Sequence, residues 1–256
     1  MKRIVMSLLL VVPFVTHCDE WWQADIPKRN LGQMQKDGEF RVLSMLIKPG
    51  DIVFDGGANV GLWSEEVLKL TKNDVALYAF EPTPESYGKC AKKLKGSGTK
   101  LFKLALADAD KRQTFFCYPG GKQYFNSLFD WMNKQKVKIT VQCRAIDSFC
   151  AEHKIEHIDF LKLDIEGAEF TALTGAKEML AAQRVRFVQF EYNNHPRANL
   201  KGIYNLLTGC GYKVYKILSK ELKPIPEWDG RLEDKKFTNY LAVAPAASIK
   251  SLEFTD

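Results

Sequence analysis

Histidine is scarce in this sequence, and its cysteines form no pair with metal-ligand spacing. There are four histidines and six cysteines among 256 residues, and no Cys-x-x-Cys occurs. Scattered thiols of this kind are typical of reduced, mostly buried cysteines, and they argue against a zinc module or a disulfide framework. We therefore predict no metal site.

Aromatic residues are missing from between the clustered lysines. The net charge is +6, and lysines gather at 89–95 and at 134–138 without a nucleic-acid motif. This pattern predicts a solvated basic face and no nucleic-acid partner. An anionic substrate or surface is the alternative.

The N-terminal apolar run, Ile4 to Val15, is too short to span a bilayer. Its length fits the core of a signal peptide, but Thr16-His17-Cys18 is a poor cleavage site. We interpret residues 4–15 as a helix that packs on the domain or on a membrane surface, so we expect a cytoplasmic protein with or without membrane contact. Export directed by residues 1–18 is the alternative.

Composition and length predict one large domain. Apolar residues make up 46% of the chain and charged residues 27%, as in ordinary globular proteins. We expect an N-terminal appendage over residues 1–40, a domain over 41–245 and a tail over 246–256. No internal repeat or low-complexity segment is present.

From residue 42 onward, patterns of strands and helices alternate. Strands are predicted at 52–55, 76–80, 100–105, 158–164, 185–191, 212–218 and 237–244, and helices at 84–95, 168–180 and 200–209. Antiparallel strands at 113–118 and 136–144 interrupt the alternation. The pattern predicts an α/β fold: a mostly parallel, seven-stranded sheet with helices on both faces and an antiparallel edge joined through the loop Pro224–Glu233.

Five acids fall at the ends of the predicted strands: Asp55, Glu81, Asp108, Asp164 and Glu191. The carboxyl ends of parallel strands share one edge of the sheet, and ligands bind beyond that edge. We therefore expect these acids to lie along the rim of a ligand site.

A glycine turn follows the first of these strands, in Val53-Phe-Asp-Gly-Gly-Ala-Asn-Val-Gly61, and Glu81 comes twenty residues after Gly61. No frame supplies the Gly-x-Gly-x-x-Gly of a dinucleotide site. Gly56 and Gly61 have the spacing of a phosphate loop, but Leu62 and Trp63 stand where its lysine and hydroxyl residue belong. The remaining option is the turn of S-adenosylmethionine enzymes, with Asn59 replacing a glycine because Asn enters left-handed conformations readily.

This cofactor has no phosphates, so the missing lysine is no loss. Its ribose diol suits the carboxylate of Glu81, and its amine suits Asp55. The alternative is a tight structural turn beside a solvated Glu81.

A second motif, Lys162-Leu-Asp164-Ile-Glu166-Gly-Ala-Glu169, ends a later strand. Lys162 and Asp164 share a face because side chains repeat every two residues along a strand. A buried lysine needs a counter-ion, and Asp164 or Glu166 is the obvious one. Alternatively, Lys162 reaches solvent while Glu166 and Glu169 serve a helix N-terminus.

These motifs, together with Phe-Glu-Pro-Thr-Pro-Glu, Ala-Leu-Ala-Asp and Asn-Ser-Leu, resemble the FkbM family of S-adenosylmethionine-dependent methyltransferases over roughly residues 50–215. The resemblance implies a class I methyltransferase fold of the Rossmann-like type, and O-methylation of a hydroxyl on a glycan, lipid-linked or small-molecule acceptor. By position, the methionine part of the cofactor would lie on Asp55, Gly57, Asn59 and Gly61. Glu81 would hold the ribose, Asp108 would approach the adenine, and Lys162, Asp164 and Glu166 would lie near the reacting end.

One position departs from the family. Asn193 stands where a histidine often follows the strand ending at Glu191, and His195 is a candidate substitute. A histidine in a surface loop is the alternative.

The reaction expected from this motif set needs a base for the acceptor hydroxyl. We assign that role to Asp164 or Glu166, with Lys162 orienting the carboxylate and Glu191 or His195 positioning the substrate. Aromatic residues in two loops (Tyr118, Tyr124, Phe125 and Trp228) either contact the acceptor or pack the loops down. A nicotinamide-dependent oxidoreductase and a non-catalytic cofactor-binding protein are the rival functions. The sequence says nothing about oligomeric state.

Overall fold

The computed structural model describes residue 34 and residues 37–118, 125–130, 135–193, 195–233 and 237–254. The interpretation of residues 4–15 lies outside the described residues, as does Tyr124. None of the described helices has both the length and the apolar composition that crossing a membrane requires.

The described residues form seven α-helices and eleven strands. The helices are α1 (Glu39–Leu46), α2 (Leu62–Thr71), α3 (Pro84–Lys93), α4 (Ile146–His153), α5 (Glu169–Thr174), α6 (Lys177–Ala181) and α7 (Leu200–Gly209). The strands are β1 (Ile52–Gly56), β2 (Ala76–Phe80), β3 (Lys100–Phe102), β4 (Ala105–Leu106), β5 (Lys111–Cys117), β6 (Val137–Arg144), β7 (Ile158–Leu163), β8 (Val185–Tyr192), β9 (Lys213–Ile217), β10 (Leu222–Ile225) and β11 (Thr238–Val243).

Eight strands build the main sheet in the order β10-β9-β11-β8-β7-β1-β2-β3. The pairs from β8 to β3 are parallel, whereas β11 runs antiparallel to both β8 and β9. The predicted α/β class, with a mostly parallel sheet and an antiparallel end, is confirmed. A separate sheet in the order β4-β6-β5 contains the two antiparallel strands that interrupt the alternation.

The antiparallel end differs from the prediction by one strand. Leu222–Ile225 forms β10, part of which falls in the segment predicted as a loop, and β10 rather than β11 is the edge. Pro224 explains the error, because proline is a loop signal that an edge strand also tolerates. β11 lies inside the sheet, between β8 and β9.

Three further elements depart from the prediction. The strand expected at 100–105 ends at Phe102, and Ala105–Leu106 pairs with β6 in the small sheet. Helix α4 was not predicted. The helix expected at 168–180 is divided into α5 and α6 near Gly175, where an added Cβ would lie 2.0 Å from the carbonyl oxygen of Ala107.

Two apolar layers cover the main sheet. Buried residues of α4, α5 and α7 pack on one face, and those of α1, α2 and α3 pack on the other. Helix α1 begins at Glu39, two residues before the predicted domain boundary, and Val42 and Leu43 are fully buried. The first helix that the structure describes is therefore part of the domain core.

Candidate active site

A cavity of about 220 Å³ lies beyond the carboxyl ends of β1, β2, β7 and β8. Seven of the predicted site residues line it: Gly57, Asn59, Glu81, Lys162, Asp164, Glu166 and Glu191. We call the part formed by residues 57–60 and Glu81 the glycine-turn half. The part formed by Asp164, Glu166 and Glu191 is the carboxylate half.

Backbone geometry shapes the glycine-turn half. Gly57 has φ 82° and Asn59 has φ 51°, so Asn59 does adopt the left-handed conformation expected of it. The N–H groups of Gly57 and Ala58 both donate to the carbonyl oxygen of Phe80 at 3.0 Å. An added Cβ on Gly57 would lie 2.0 Å from the carbonyl oxygen of Asp164. Only glycine permits this approach between the two halves of the cavity.

The carboxylate of Glu81 is buried and held by the backbone. Its Oε2 accepts from the Asn59 N–H at 3.0 Å, and its Oε1 accepts from the Thr83 N–H at 2.9 Å and from the Thr83 hydroxyl. Burial raises the pKa of Glu81, which these hydrogen bonds partly offset. The alternative of a solvated Glu81 is therefore wrong, since the residue is 6% exposed.

Lys162 is buried on the strand next to β1 and has two counter-ions. Its Nζ lies 3.4 Å from Oδ1 of Asp55 and 3.3 Å from Oδ2 of Asp164. The ammonium also lies over the Trp63 ring, 5.6 Å from its centroid. Burial lowers the pKa of Lys162, but Asp164 and Asp55 outweigh burial and hold that pKa above its ordinary value. The alternative in which Lys162 reaches solvent is wrong, and Asp55 is a partner that sequence reasoning missed.

Asp55 lies beneath the cavity and does not line it. The residue is fully buried, and its Oδ2 accepts from the Ser64 hydroxyl at 2.7 Å. Both of its oxygens are thus engaged by the protein. The structure assigns Asp55 to the support of Lys162, and no surface of Asp55 is open to the amine that it was predicted to bind.

Three carboxylates meet in the carboxylate half. Oxygens of Asp164, Glu166 and Glu191 lie within 4.8 Å of one another. Burial and then the neighbouring carboxylates raise the pKa of Glu166 and of Glu191 well above the ordinary value. Such oxygens are also ligands that Mg²⁺ and Ca²⁺ use, so the absence of a metal site stays a prediction.

Asn193 links two of these carboxylates. Its Nδ2 donates to Oε2 of Glu166 at 2.8 Å and to Oε2 of Glu191 at 3.4 Å. Glu166 itself has φ 54°, an uncommon conformation for this residue type. The hydroxyl of Ser127 donates to the Glu166 carbonyl oxygen at 2.7 Å and holds this turn in place.

Glu169 serves the backbone of the turn rather than the cavity. Its Oε1 accepts from the N–H groups of Ile165 and Gly167 at 2.9 and 3.3 Å, and burial raises its pKa to about 7. The alternative placed both acids at a helix N-terminus, and only Glu169 lies in the first turn of α5.

His195 is buried behind the Glu166 turn. Its Nδ1 accepts from the Arg197 N–H at 2.9 Å, and an added Cβ on Gly167 would lie 2.4 Å from the imidazole Cγ. Burial and the charge of Arg197 lower the pKa of His195 to about 4, so the ring is neutral at pH 7. The alternative of a surface histidine is wrong, but the ring does not line the cavity.

Two other candidates lie outside the cavity lining. Asp108 is exposed and forms an ion pair with Lys111 at 2.6 Å, which lowers its pKa. Gly61 precedes α2 with φ 82°, and an added Cβ there would lie 3.0 Å from the Cys90 sulfur. The structure does not bring Asp108 to the rest of the site.

Two of the aromatic residues named in the predicted loops, Tyr118 and Trp228, pack against the protein. Tyr118 is 1% exposed, and the Trp228 ring lies 5.6 Å from the ring of Tyr204. Contact residues that sequence reasoning missed are Glu39, Ser127, Asn193, Phe237 and Asn239. Ser127 carried a signal through the Asn-Ser-Leu motif, and Asn193 carried one as the residue that stands where the family often has a histidine.

The strand order, the antiparallel β11, the turn after β1 and the acid after β2 define a class I methyltransferase fold. A crystal structure of methyltransferase FkbM from Methylobacillus flagellatus KT superposes on 78% of this chain and 47% of its own, with a TM-score of 0.52. At 15% identity, this likeness concerns the fold alone.

The sequence model of the methyltransferase FkbM domain matches residues 55–214, and the chain belongs to this family. It is 28% identical over 169 residues to 2-O-methyltransferase NoeI of Sinorhizobium fredii, covering 60% of this chain and 68% of NoeI. It is also 22% identical over 263 residues to AMB antimetabolite synthetase AmbE of Pseudomonas aeruginosa, covering 80% of this chain but only 12% of AmbE. The protein is a methyltransferase.

Proposed function

We propose that this methyltransferase uses S-adenosylmethionine to methylate a hydroxyl group, with Glu166 and Glu191 acting as a carboxylate pair that removes the hydroxyl proton. The observation that carries the proposal is the meeting of three carboxylates beside a glycine turn, within one cavity. The name of NoeI, a 2-O-methyltransferase, supports an oxygen acceptor.

The charge of the cavity favours this cofactor over a dinucleotide. Among the described residues that line the cavity, Lys162 is the only cation, and it is already paired with two carboxylates. Phosphates would therefore find no free positive side chain there. S-adenosylmethionine carries no phosphate group, and its ribose diol suits the carboxylate of Glu81. When bound, it supplies an electrophilic methyl group on a sulfonium centre.

Glu166 and Glu191 are better suited to proton removal than Asp164. A general base works best when its pKa lies near the operating pH, and burial raises the pKa of both glutamates. The carboxylate of Asp164 is instead already engaged by the protein, because its Oδ2 lies 3.3 Å from Nζ of Lys162. Asn193 holds the two glutamates together and fixes the direction in which they face the acceptor. The ion pair between Asp164 and Lys162 then sets the position of the turn at Glu166.

The first experiment tests the cofactor by calorimetry with S-adenosylhomocysteine and with NAD. We expect the wild type to bind S-adenosylhomocysteine only. Glu81→Gln should weaken this binding roughly 10- to 100-fold, because a charge-assisted hydrogen bond contributes about 1.5–3 kcal/mol. Glu85→Gln, on the exposed surface of α3, is the control. Binding of NAD alone would favour an oxidoreductase and overturn the proposal.

The second experiment measures transfer of labelled methyl groups into extracts of glycans, lipids and small molecules. Glu191→Gln should lower transfer by about 10²- to 10⁴-fold without weakening S-adenosylhomocysteine binding. Asp164→Asn should retain more activity than Glu191→Gln. The reverse order would assign the base to Asp164, and wild-type protein that binds the cofactor product without transferring methyl would indicate a binding protein.

A further inference from the structure

Phe237 is an exposed aromatic residue at the cavity. Its side chain is 59% exposed, more than any other large apolar side chain in the described part of the chain, and it lines the cavity. Single exposed apolar residues are common on protein surfaces. The position of this ring, rather than its exposure, gives it significance.

Topology places Phe237 beside the carboxylate half. Because β11 is antiparallel to β8, its first residues lie at the edge where the parallel strands end. Asn239 is directly opposite Glu191 in this pairing, and Phe237 shares the face of Asn239 because side chains alternate along an extended chain. Phe237, Asn239 and Glu191 all line the cavity.

The order of the strands separates Phe237 and Asn239 from the glycine-turn half. From β11 the order runs through β8 and β7 to β1 and β2, so the carboxylates after β7 and on β8 lie between Phe237 and Glu81. A methyl donor held over β1 and β2 and an acceptor held over β11 would meet at the carboxylates. Phe237 and Asn239 thus occupy the side from which the acceptor must approach.

The side-chain amide of Asn239 is available to bind a ligand. In the described part of the structure its side chain makes no hydrogen bond to the protein, whereas the amide of Asn193 donates to two glutamates and the amide oxygen of Asn126 accepts from the Tyr118 N–H. A side-chain amide presents two donors and an acceptor, which match the hydroxyl groups of a polyol. The Phe237 ring offers an apolar face beside it.

We propose that Phe237 and Asn239 are specificity-determining residues that bind the acceptor, and that the acceptor is a saturated, hydroxyl-bearing ring such as a pyranose. The inference rests on the proposed methyl transfer. The C–H face of the ring lies on Phe237, one hydroxyl bonds to the Asn239 amide, and the reacting hydroxyl faces Glu191. Positions two residues apart on a strand are about 6.8 Å apart, comparable to the width of one substituted six-membered ring.

Saturation-transfer NMR with methyl glucopyranoside and methyl mannopyranoside, on protein saturated with S-adenosylhomocysteine, tests the inference. The ring C–H protons should receive magnetisation from the wild type. Phe237→Ala and Asn239→Ala should each weaken glycoside binding about two- to tenfold. Phe237→Tyr should retain binding because it keeps the aromatic face.

Leu70→Ala is the matched control, because Leu70 is 43% exposed on α2 and does not line the cavity. All four variants should bind S-adenosylhomocysteine like the wild type. If Phe237→Ala binds the glycosides like Leu70→Ala, or if the loaded wild type binds neither glycoside, the inference is overturned. If the wild type does not bind S-adenosylhomocysteine, the proposed function itself fails.

Discussion

The two halves of the cavity are built by different means. In the glycine-turn half, main-chain N–H groups of the turn bind neighbouring groups, including the carboxylate of Glu81, which lies 22 residues from Asn59. In the carboxylate half, two side chains that follow β7 meet one from β8, the Ser127 hydroxyl holds the backbone of Glu166, and burial raises the pKa of two of the acids. The first half depends on chain conformation, and the second on buried charge.

This difference predicts different responses to mutation. In the glycine-turn half, we expect a side-chain change to affect stability or ligand binding when it alters φ or removes the carboxylate of Glu81. In the carboxylate half, a change matters when it leaves a buried charge without its partner, which is among the costlier effects in proteins. Gly57 touches the carboxylate half at Asp164, and Lys162 joins that half to Asp55 on β1, so these two residues give the most direct tests.

Lys162→Met should have the largest effect on stability. The change leaves fully buried Asp55 without its cation, and removing one partner of a buried pair costs about 3–5 kcal/mol. Urea denaturation at pH 7 measures this loss. The double variant with Asp55→Asn should recover at least half of it, because the amide carries no charge and still accepts from Ser64. Equal instability of both variants would show that packing, not charge, is responsible.

Gly57→Ala should rank second, and Gly61→Ala is its internal control. Both residues have φ 82°, a conformation that costs a residue with Cβ about 1–2 kcal/mol. At Gly57 the new Cβ would also lie 2.0 Å from the carbonyl oxygen of Asp164, whereas at Gly61 the nearest atom, the Cys90 sulfur, is 3.0 Å away. We expect Gly57→Ala to lose roughly 3 kcal/mol or more and Gly61→Ala about half of that. Equal losses by denaturation would mean that the halves do not touch as described.

The sequence predicts the local geometry of the cavity better than the contacts between distant strands. The turn is local, so glycine spacing, Asn59 and the acid after β2 could be interpreted without knowing the fold. The Lys162–Asp55 pair joins residues 107 positions apart, and Asn239 comes opposite Glu191 only because β11 inserts next to β8. No spacing rule could supply these contacts.

Similar reasoning explains the errors in the fold. Helix α4 is eight residues long, and Pro224 hides a four-residue edge strand, so each pattern is too short or too ambiguous to stand out. Glu39 directly follows the polar stretch that ends at Gly38, and no local pattern there indicates a buried acid. Its carboxylate instead accepts from Gln189 Nε2 at 2.8 Å in the core.

Glu39→Gln should reveal the buried charge through pH. Burial raises the pKa of Glu39 from 4.5 to about 8, so between these values the folded protein holds a proton that the unfolded chain releases. Stability of the wild type therefore falls as pH rises through this range, by up to about 1.4 kcal/mol per unit. The variant does not titrate at this position, so it should gain on the order of 3 kcal/mol over the wild type between about pH 5 and about pH 8.

The comparison isolates Glu39 because the other buried acids titrate in both proteins. Urea denaturation across this pH range gives the difference directly. A difference that stays constant with pH would indicate that Glu39 is ionised in the folded protein. In that case Glu39 would belong with Asp164 as a counter-ion of Lys162.

Asn59→Gly should have the smallest effect and tests the glycine-turn half alone. Asn59 has φ 51°, which glycine adopts without strain, and its N–H would still donate to Glu81. We expect the free energy of unfolding to change by less than about 1 kcal/mol, whereas Asn59→Ala should lose about 1–2 kcal/mol because alanine disfavours this conformation. Calorimetry should find S-adenosylhomocysteine binding unchanged in Asn59→Gly. Lost binding in a stable Asn59→Gly protein would mean that the amide side chain contacts the ligand, and the glycine-turn half would then use side chains as the carboxylate half does.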